Sequence, residues 1–339
     1  MTMVREQEAA REDLAVVIPV WNLPEDLADL LGQIERLGIF SEVIVADDCS
    51  DLDCDPERLG FTSERLGARL VYLRAEERRG AGHARNIGLD AVTAGNVLFF
   101  DADDQMSDDL PQIWARHIAG EIPDFTIFRH NDTRVLETEH RDGSFSIDER
   151  QWNRIFGGAS LGESREKWLT PEDRAHLCTI SAYPWNKIYR TAFLRRTGIS
   201  CSETPVHNDI RLHWLSFLHA TTVLAVSTIG AVHVVGDRPH HLTTRKGAER
   251  LCLGDILDDV LHEIRATPRH AILLRHFLHF TDTICQWNLG QVDAELVPQF
   301  VQLAIRAYMS FTPEEFRIYA AWQPERANAI VKFLLSEGV

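Results

Sequence analysis

An α/β fold is predicted, with a Rossmann-like, mostly parallel sheet flanked by helices and a helical subdomain at the C-terminus. Three observations predict it: short wholly apolar runs recur through the first hundred residues, helix-patterned stretches separate them, and the polar residues cluster where the apolar runs end. Strands joined by helices pair in parallel through right-handed crossovers, and such sheets bind ligands beyond the carboxyl ends of their strands.

The first apolar run, Leu14 to Val20, has the continuous pattern of a strand buried on both faces. After Trp21-Asn22-Leu23-Pro24, the residues Leu27, Leu30, Leu31, Ile34 and Leu37 recur at helical spacing, with Pro24 suited to the first turn and Gly38 to the C-terminal cap. Further strands are expected at Glu42–Ala46, Arg69–Leu73 and Val97–Phe100, with a small-residue-rich helix over Ala81–Ala94. A helix over Asp108–Ile118 and a strand over Phe125–Phe128 follow. Asn131 to Ser146 alternates polar and β-branched residues around Asp142-Gly143, which predicts a hairpin. The stretch from Gln151 to Gly236 is mixed. Amphipathic helical stretches then begin at Leu253, Ile272, Val297 and Ala327, separated by Pro or Gly breaks. The expected organisation is an N-terminal extension over 1–13, a catalytic-type domain over 14–246 made of halves 14–130 and 131–246, and a helical subdomain over 247–339.

The 339 residues carry 35 Lys and Arg against 51 Asp and Glu, a formal charge of −16. That balance excludes nucleic acid as a main partner and disfavours a polybasic membrane anchor. The six cysteines form no CxxC pair and are expected to be free thiols in a reducing compartment. The first thirteen residues are charged and lack an apolar leader core, and no apolar run reaches the ~18–20 residues of a membrane-spanning helix. The expectation is therefore a cytoplasmic protein with no integral membrane segment, a peripheral contact at the inner face of the membrane being compatible with it.

Four clusters stand at the strand ends. Pro19-Val20-Trp21-Asn22 offers a flat aromatic face for a base, or a packing tryptophan. Asp47-Asp48 pairs two carboxylates at a strand exit, where one can accept hydrogen bonds from a ligand or both can serve a solvated turn. Arg78-Arg79-Gly80-Ala81-Gly82-His83-Ala84-Arg85 joins a glycine-bearing loop to a helix start and supplies three arginines, a construction suited to phosphate. No dinucleotide fingerprint follows the first strand, where Pro19-Val20-Trp21 stands instead. The sharpest cluster is Asp101-Ala102-Asp103-Asp104. Three carboxylates after an apolar strand need a counter-charge, and Mg²⁺ or Mn²⁺ bridging them to a diphosphate supplies it.

The series VVIPVWN, VIVADDCSD, GAGHARNIGLDAVTAGNVLFFDADD, WNKIYR and HND resembles glycosyltransferase family 2, the inverting, nucleotide-sugar-dependent enzymes of the GT-A fold. The likeness runs in order from about Leu14 to Leu242 and is densest up to Asp104. It implies a nucleoside diphosphate sugar donor, most often a UDP-sugar, with Pro19 and Trp21 flanking the base and Asn22 beside them. Asp48 is implied to accept from the base, and Arg79 and Arg85 to lie near base or phosphates. Asp101 and Asp103 become the DxD element on ribose and metal. Lys187, in Trp185-Asn186-Lys187, is implied at the acceptor-side rim. Three departures stand out: Trp21 replaces the usual Tyr, Cys49 takes a place usually held by Gly, and Asn208-Asp209 replaces Glu-Asp.

By this resemblance Asp209 is the base that takes the acceptor proton while a cation holds the leaving diphosphate; a helix N-cap is the alternative role for the same residue. His241, or its neighbour His240, is a candidate third metal ligand, Arg245 a candidate phosphate partner, and His207 a candidate acceptor contact. The implied acceptor is a glycan, lipid-linked or polymer chain in cell-surface polysaccharide synthesis. A catalytically silent nucleotide-sugar-binding scaffold and a nucleotidyltransferase are the competing readings. Phe277, Phe280 and Trp287 are expected on exposed faces of the C-terminal helices, for stability, a homo-oligomer contact or an acceptor platform.

Overall fold

The structure, a computed structural model, describes residues 12–157, 164–235, 245–267 and 271–338. The elements, in chain order, are β1 (Leu14–Val20), α1 (Pro24–Leu37), β2 (Glu42–Asp47), α2 (Ser63–Leu66), β3 (Arg69–Arg74), α3 (Ala81–Ala91), β4 (Asn96–Phe99), β5 (Gln105–Met106), α4 (Leu110–His117), β6 (Phe125–Asp132), α5 (Thr133–Glu139) and α6 (Ser146–Phe156). They continue with β7 (Glu166–Trp168), α7 (Pro171–Leu177), β8 (Lys187–Arg190), α8 (Thr191–Thr197), α9 (Ile210–His219), β9 (Val223–His233), α10 (Leu253–Ala266), α11 (Ile272–Leu289), α12 (Val297–Met309), α13 (Pro313–Trp322) and α14 (Pro324–Ser336). The chain divides into two compact units.

The first unit, residues 1–169, 184–200 and 220–235, holds the sheet. Its described strands run β3-β2-β1-β4-β8-β6-β9-β5, with β7 also paired to β9. The four strands β3, β2, β1 and β4 are parallel, and all of β1 and β2 is buried. Burial on both faces is what a continuous run such as Leu-Ala-Val-Val-Ile requires. β8 enters antiparallel between β4 and β6 and so joins the parallel half to the β6–β9 half. Pro19 lies on β1 beyond Val17, the last β1 residue paired with β4, so its missing N–H interrupts no ladder on that side.

The helix α1 forms as its spacing predicts. Leu27, Leu30, Leu31 and Ile34 are buried, Pro24 stands in the first turn, and Gly38 closes the end at φ 61° with its N–H on the Ile34 carbonyl. On α3, Gly88 faces β1 so closely that a Cβ there would lie 2.3 Å from Val17 Cγ1. Only a glycine lets this helix approach the sheet.

The hairpin expected over 131–146 is replaced by a strand and a helix. β6 runs on to Asp132, whose carboxylate accepts from the Arg134 N–H at 2.9 Å and starts α5, drawing Thr133 and Val135 into that helix. The turn at Gly143 does form, at φ 103°, and its carbonyl accepts from Asp132 N–H at 3.1 Å. A local capping bond thus overrides the alternating pattern.

The second unit, residues 170–183, 201–219 and 236–339, is helical. α11 packs against α7, α10, α12 and α13. The helix α13 was not expected from the sequence; Thr312 and Glu315 start it with a reciprocal capping box and Pro313 fills its first turn. Phe277 and Phe280, expected on an exposed face, are buried instead, their rings 4.8 and 5.2 Å from Trp214 of α9. Only Trp287 of the three keeps an exposed face, at 41%. Among the described residues, no helix is long and apolar enough to cross a membrane.

Candidate active site

The carboxyl ends of β1, β2 and β4 bring the first unit's polar clusters together. The paired aspartates at the end of β2 have separate tasks. Asp47 is fully buried; its carboxylate accepts from Tyr72 Oη at 2.6 Å and from Ser50 N–H at 2.8 Å. Asp48 turns toward the arginine loop, where its two oxygens accept from Arg79 N–H at 2.8 Å and Gly80 N–H at 2.7 Å. Two of the amides that the sequence offers to a phosphate are therefore engaged by Asp48, which fixes the start of α3. The fork of Arg74 approaches Asp47 at 3.7 Å and donates to the Ser50 carbonyl at 2.8 Å.

Cys49 and Asn22 both adopt left-handed backbone, at φ 61° and 56°. At Cys49 this explains why glycine is the usual occupant of the corresponding place: the conformation costs a side-chain-bearing residue on the order of 1–2 kcal/mol. Asn22 tolerates it and uses its side chain as a brace, its Oδ1 accepting from Asp51 N–H at 2.7 Å and Leu52 N–H at 3.0 Å. Trp21 is half-buried, and the Arg78 guanidinium stacks on its ring at 3.3 Å. Beside the arginine loop lies an open depression of about 440 Å³ lined by Glu76, Glu77, Arg79 and His83.

After β4, Asp101 accepts from the buried Arg85 at 2.5 Å, which ties the carboxylate cluster to α3. Asp104 is buried and accepts from His233 Nδ1 and Val234 N–H, each at 2.9 Å, which ties the same cluster to the end of β9. Asp103 sits between them, half-buried. Burial first, then the charges of Asp104 and Asp101, push its carboxyl up to about 7. A carboxylate so crowded calls for a cation. Among the described residues no three His, Cys, Asp or Glu groups form a closed metal cage. A cation that takes one or two carboxylates and completes its shell with phosphate oxygens and water needs no such cage, and the oxygens of Asp101 and Asp103 fit that chemistry.

Lys187 does not stand at a rim: it is fully buried on β8 and donates to Asn186 Oδ1 at 2.6 Å. Its neighbours in the sheet include a ring column in which Trp185 lies 4.9 Å from His130 and 5.7 Å from His233. His233 and Tyr72 are the residues that sequence reasoning missed, because their partners lie 129 and 25 positions away and no local pattern marks them.

In the second unit, Asn208 is buried and Asp209 half-buried at the start of α9, with the Asp209 carbonyl accepting from His213 N–H at 2.9 Å. Arg245 reaches the Pro205 carbonyl at 3.4 Å. His240 and His241 lie outside the described residues. The ring of His276, on α11, lies 4.7 Å from His176 and 4.5 Å from Trp322.

Residues 15–169 match the profile of Glycosyl transferase family 2. This stretch is a family 2 glycosyl transferase domain. All of the strand-end clusters through Asp104 lie inside it. A putative teichuronic acid biosynthesis glycosyltransferase, TuaG of Bacillus subtilis strain 168, is 25% identical over 161 residues, which is 45% of this chain and 63% of that protein's length. The family 2 domain and the helices that follow share their GT-A fold with S. aureus TarS 1–349 in complex with UDP-GlcNAc, at a TM-score of 0.71 and 18% identity over 95% of this chain and 88% of the other. The mannosyltransferase PcManGT of Pyrobaculum calidifontis, solved with GDP-Man and Mn²⁺, aligns at a TM-score of 0.50 and 14% identity over 98% of this chain and 90% of that one.

Proposed function

We propose that this chain is an inverting glycosyltransferase that moves a sugar from a UDP-sugar to a glycan, lipid-linked or polymer acceptor of the cell surface. The observation that carries the reading is the crowded carboxylate set of Asp101, Asp103 and Asp104 at the end of β4, braced by Arg85 and His233 inside a family 2 domain. The fold shared with a UDP-GlcNAc complex and the likeness to a teichuronic acid glycosyltransferase support the donor and the acceptor class.

In this reading Trp21 presents its face to the base, Asp48 holds the loop that flanks it, and Arg79 and Arg85 face the diphosphate. Asp101 and Asp103 hold Mg²⁺ or Mn²⁺, and the ion, when bound, neutralises the charge that develops on the leaving diphosphate. Asp209 takes the acceptor's proton as the hydroxyl attacks the anomeric carbon. Arg245 is the proposed phosphate partner and His241 the proposed third metal ligand. The protein then works in the cytoplasm at the inner face of the membrane, reached by peripheral contact.

Thermal shift with UDP, GDP and dTDP, each with and without Mn²⁺, tests the reading. Stabilisation by UDP that grows with Mn²⁺ is expected. Failure of all three nucleotides to raise the transition with the metal present overturns it.

A further inference from the structure

The second unit holds one non-glycine residue, among those described, in left-handed backbone: His207, at φ 58°, two positions before Asp209. Few side-chain-bearing residues adopt that conformation unless their surroundings over-determine it, and such outliers concentrate where function needs a fixed geometry. Here the surroundings do so. His207 Nε2 lies 3.1 Å from Asn288 Oδ1, and the same oxygen accepts from Arg250 Nη1 at 2.7 Å. An amide oxygen only accepts, so Nε2 carries the proton. Burial holds His207 down to about 4, which keeps the ring neutral, and the Asn288 oxygen selects this tautomer.

Both partners of His207 are held in turn. Asn288 is fully buried on α11, its amide nitrogen donating to the Ile284 carbonyl at 2.8 Å. Arg250 is also buried; its Nε donates to the Arg245 carbonyl at 2.5 Å, and its guanidinium lies 4.7 Å over the Trp287 ring. The strand of chain before His207 is held as well, by Cys252 Sγ on the Val206 carbonyl at 3.4 Å and by Ser202 N–H on the Asn208 carbonyl at 2.9 Å. None of these partners lies in the family 2 domain.

We propose that Asn288 and Arg250 are positioning residues for Asp209: they lock His207 in its left-handed turn and thereby aim the carboxylate that begins α9. This gives the C-terminal helices a task in the chemistry, and it rests on the reading of Asp209 as the base. A displacement of about 1 Å at a reacting group costs on the order of 10²-fold in rate, so loss of the turn is expected to lower kcat 10- to 100-fold and leave donor binding alone.

The test uses the full chain and the UDP-sugar that it turns over fastest among UDP-N-acetylglucosamine, UDP-glucose and UDP-galactose, with UDP release as the rate and calorimetric UDP affinity as the binding measure. Asn288→Leu removes the shared acceptor at similar volume, and Asn288→Asp keeps it. The expected result is a 10- to 100-fold fall in kcat for Asn288→Leu with donor KM and UDP affinity within twofold of the parent, and rescue to within fivefold by Asn288→Asp. His207→Val, which resists a positive φ, and His207→Asn, which accepts it, form a second pair that does not disturb α11; the first is expected to lose kcat and the second to keep most of it. Unchanged kcat in a folded Asn288→Leu or His207→Val protein overturns the proposal, as does a loss shared equally by kcat and UDP affinity. Asp209→Asn, run beside them, separates the failures. If it retains transfer, the base reading and the proposal both fall; if it abolishes transfer while Asn288→Leu does not, only the proposal falls.

Discussion

The guanidinium of Arg78 lies 3.3 Å from the centroid of the Trp21 ring, the ring that the proposed function assigns to the nucleotide base. The pair couples the end of β1 to the arginine loop before α3. A base that stacks on the face covered by Arg78 must displace a cation, at a cost of about 0.5–1 kcal/mol for a contact this exposed. Arg78→Ala is therefore expected to tighten uridine two- to fivefold and to weaken UDP relative to uridine, since the same arginine meets the phosphates once displaced. Calorimetry with both ligands decides it. Equal uridine affinity in parent and variant would mean that the base binds elsewhere.

Asp209→Asn is expected to reduce sugar transfer by at least a thousandfold while leaving UDP affinity within twofold, since a base acts on the acceptor and touches no part of the nucleotide. Transfer at near parental rate would remove Asp209 from the mechanism.

Gly88→Ala is expected to destabilise the first unit by about 1–3 kcal/mol, because the new methyl meets Val17 Cγ1 at 2.3 Å and the helix must back away from β1. Arg85, one turn earlier on the same helix, moves with it. Its bond to Asp101 is then strained, and weaker UDP affinity is expected to accompany the lower denaturation midpoint.

Asp124 is buried and accepts from Arg196 at 2.7 Å, from the Thr221 and Thr222 amides at 2.6 and 3.2 Å, and from Arg190. Burial alone would raise its carboxyl; these donors hold it below the usual carboxylate range. Asp124→Ala leaves two half-exposed arginines and two amides without their shared acceptor, and a loss of about 2–3 kcal/mol in urea unfolding is expected. The carboxylate's contribution is present above its ordinary value of 3.8 and vanishes as pH falls below it.

Histidine burial sets a second, higher pH limit. His117 is held neutral, its Nε2 2.9 Å from Asn96 Oδ1 and its Nδ1 2.8 Å from Thr126 Oγ1, and burial lowers it from 6.5 to about 3. His130 and His276 are lowered to about 3 as well, burial again being the main cause. Below pH 6.5 the unfolded chain binds protons that the folded chain refuses, so stability is lost as pH falls from 6.5 toward 3, at about 1.4 kcal/mol per pH unit for each such histidine. The urea midpoint is expected to drop steadily from pH 7 to pH 5. His117→Leu is expected to flatten that slope by one histidine's share, whatever it does to stability at pH 7.

Much of the nucleotide-side architecture was legible because its signals are local. Pro24 and Gly38 bracket α1, the apolar runs mark β1 to β4, and the carboxylates follow those strands directly; the sheet order then puts Asp48 and Asp101 at the ends of the two strands that flank β1. Where a local signal was ambiguous it misled: the alternating pattern over 131–146 lost to a capping bond at Asp132, and the aromatic face of α11 turned inward because Trp214 offers Phe277 and Phe280 a better surface than water.

The sequence by itself determined the family 2 domain, the α/β alternation and the identity of the carboxylates and arginines at the strand ends, since periodicity and residue order require no knowledge of distant contacts. Only the tertiary structure decided what each of them is tied to. That Asp47 is locked by Tyr72 while Asp48 holds the arginine loop, that Asp104 is bound to His233, and that His207 is clamped by Asn288, are consequences of chain folding. Hydrogen bonds between residues 25 to 129 positions apart leave no trace in local pattern, and they divide chemically identical carboxylates into braces and candidate ligands.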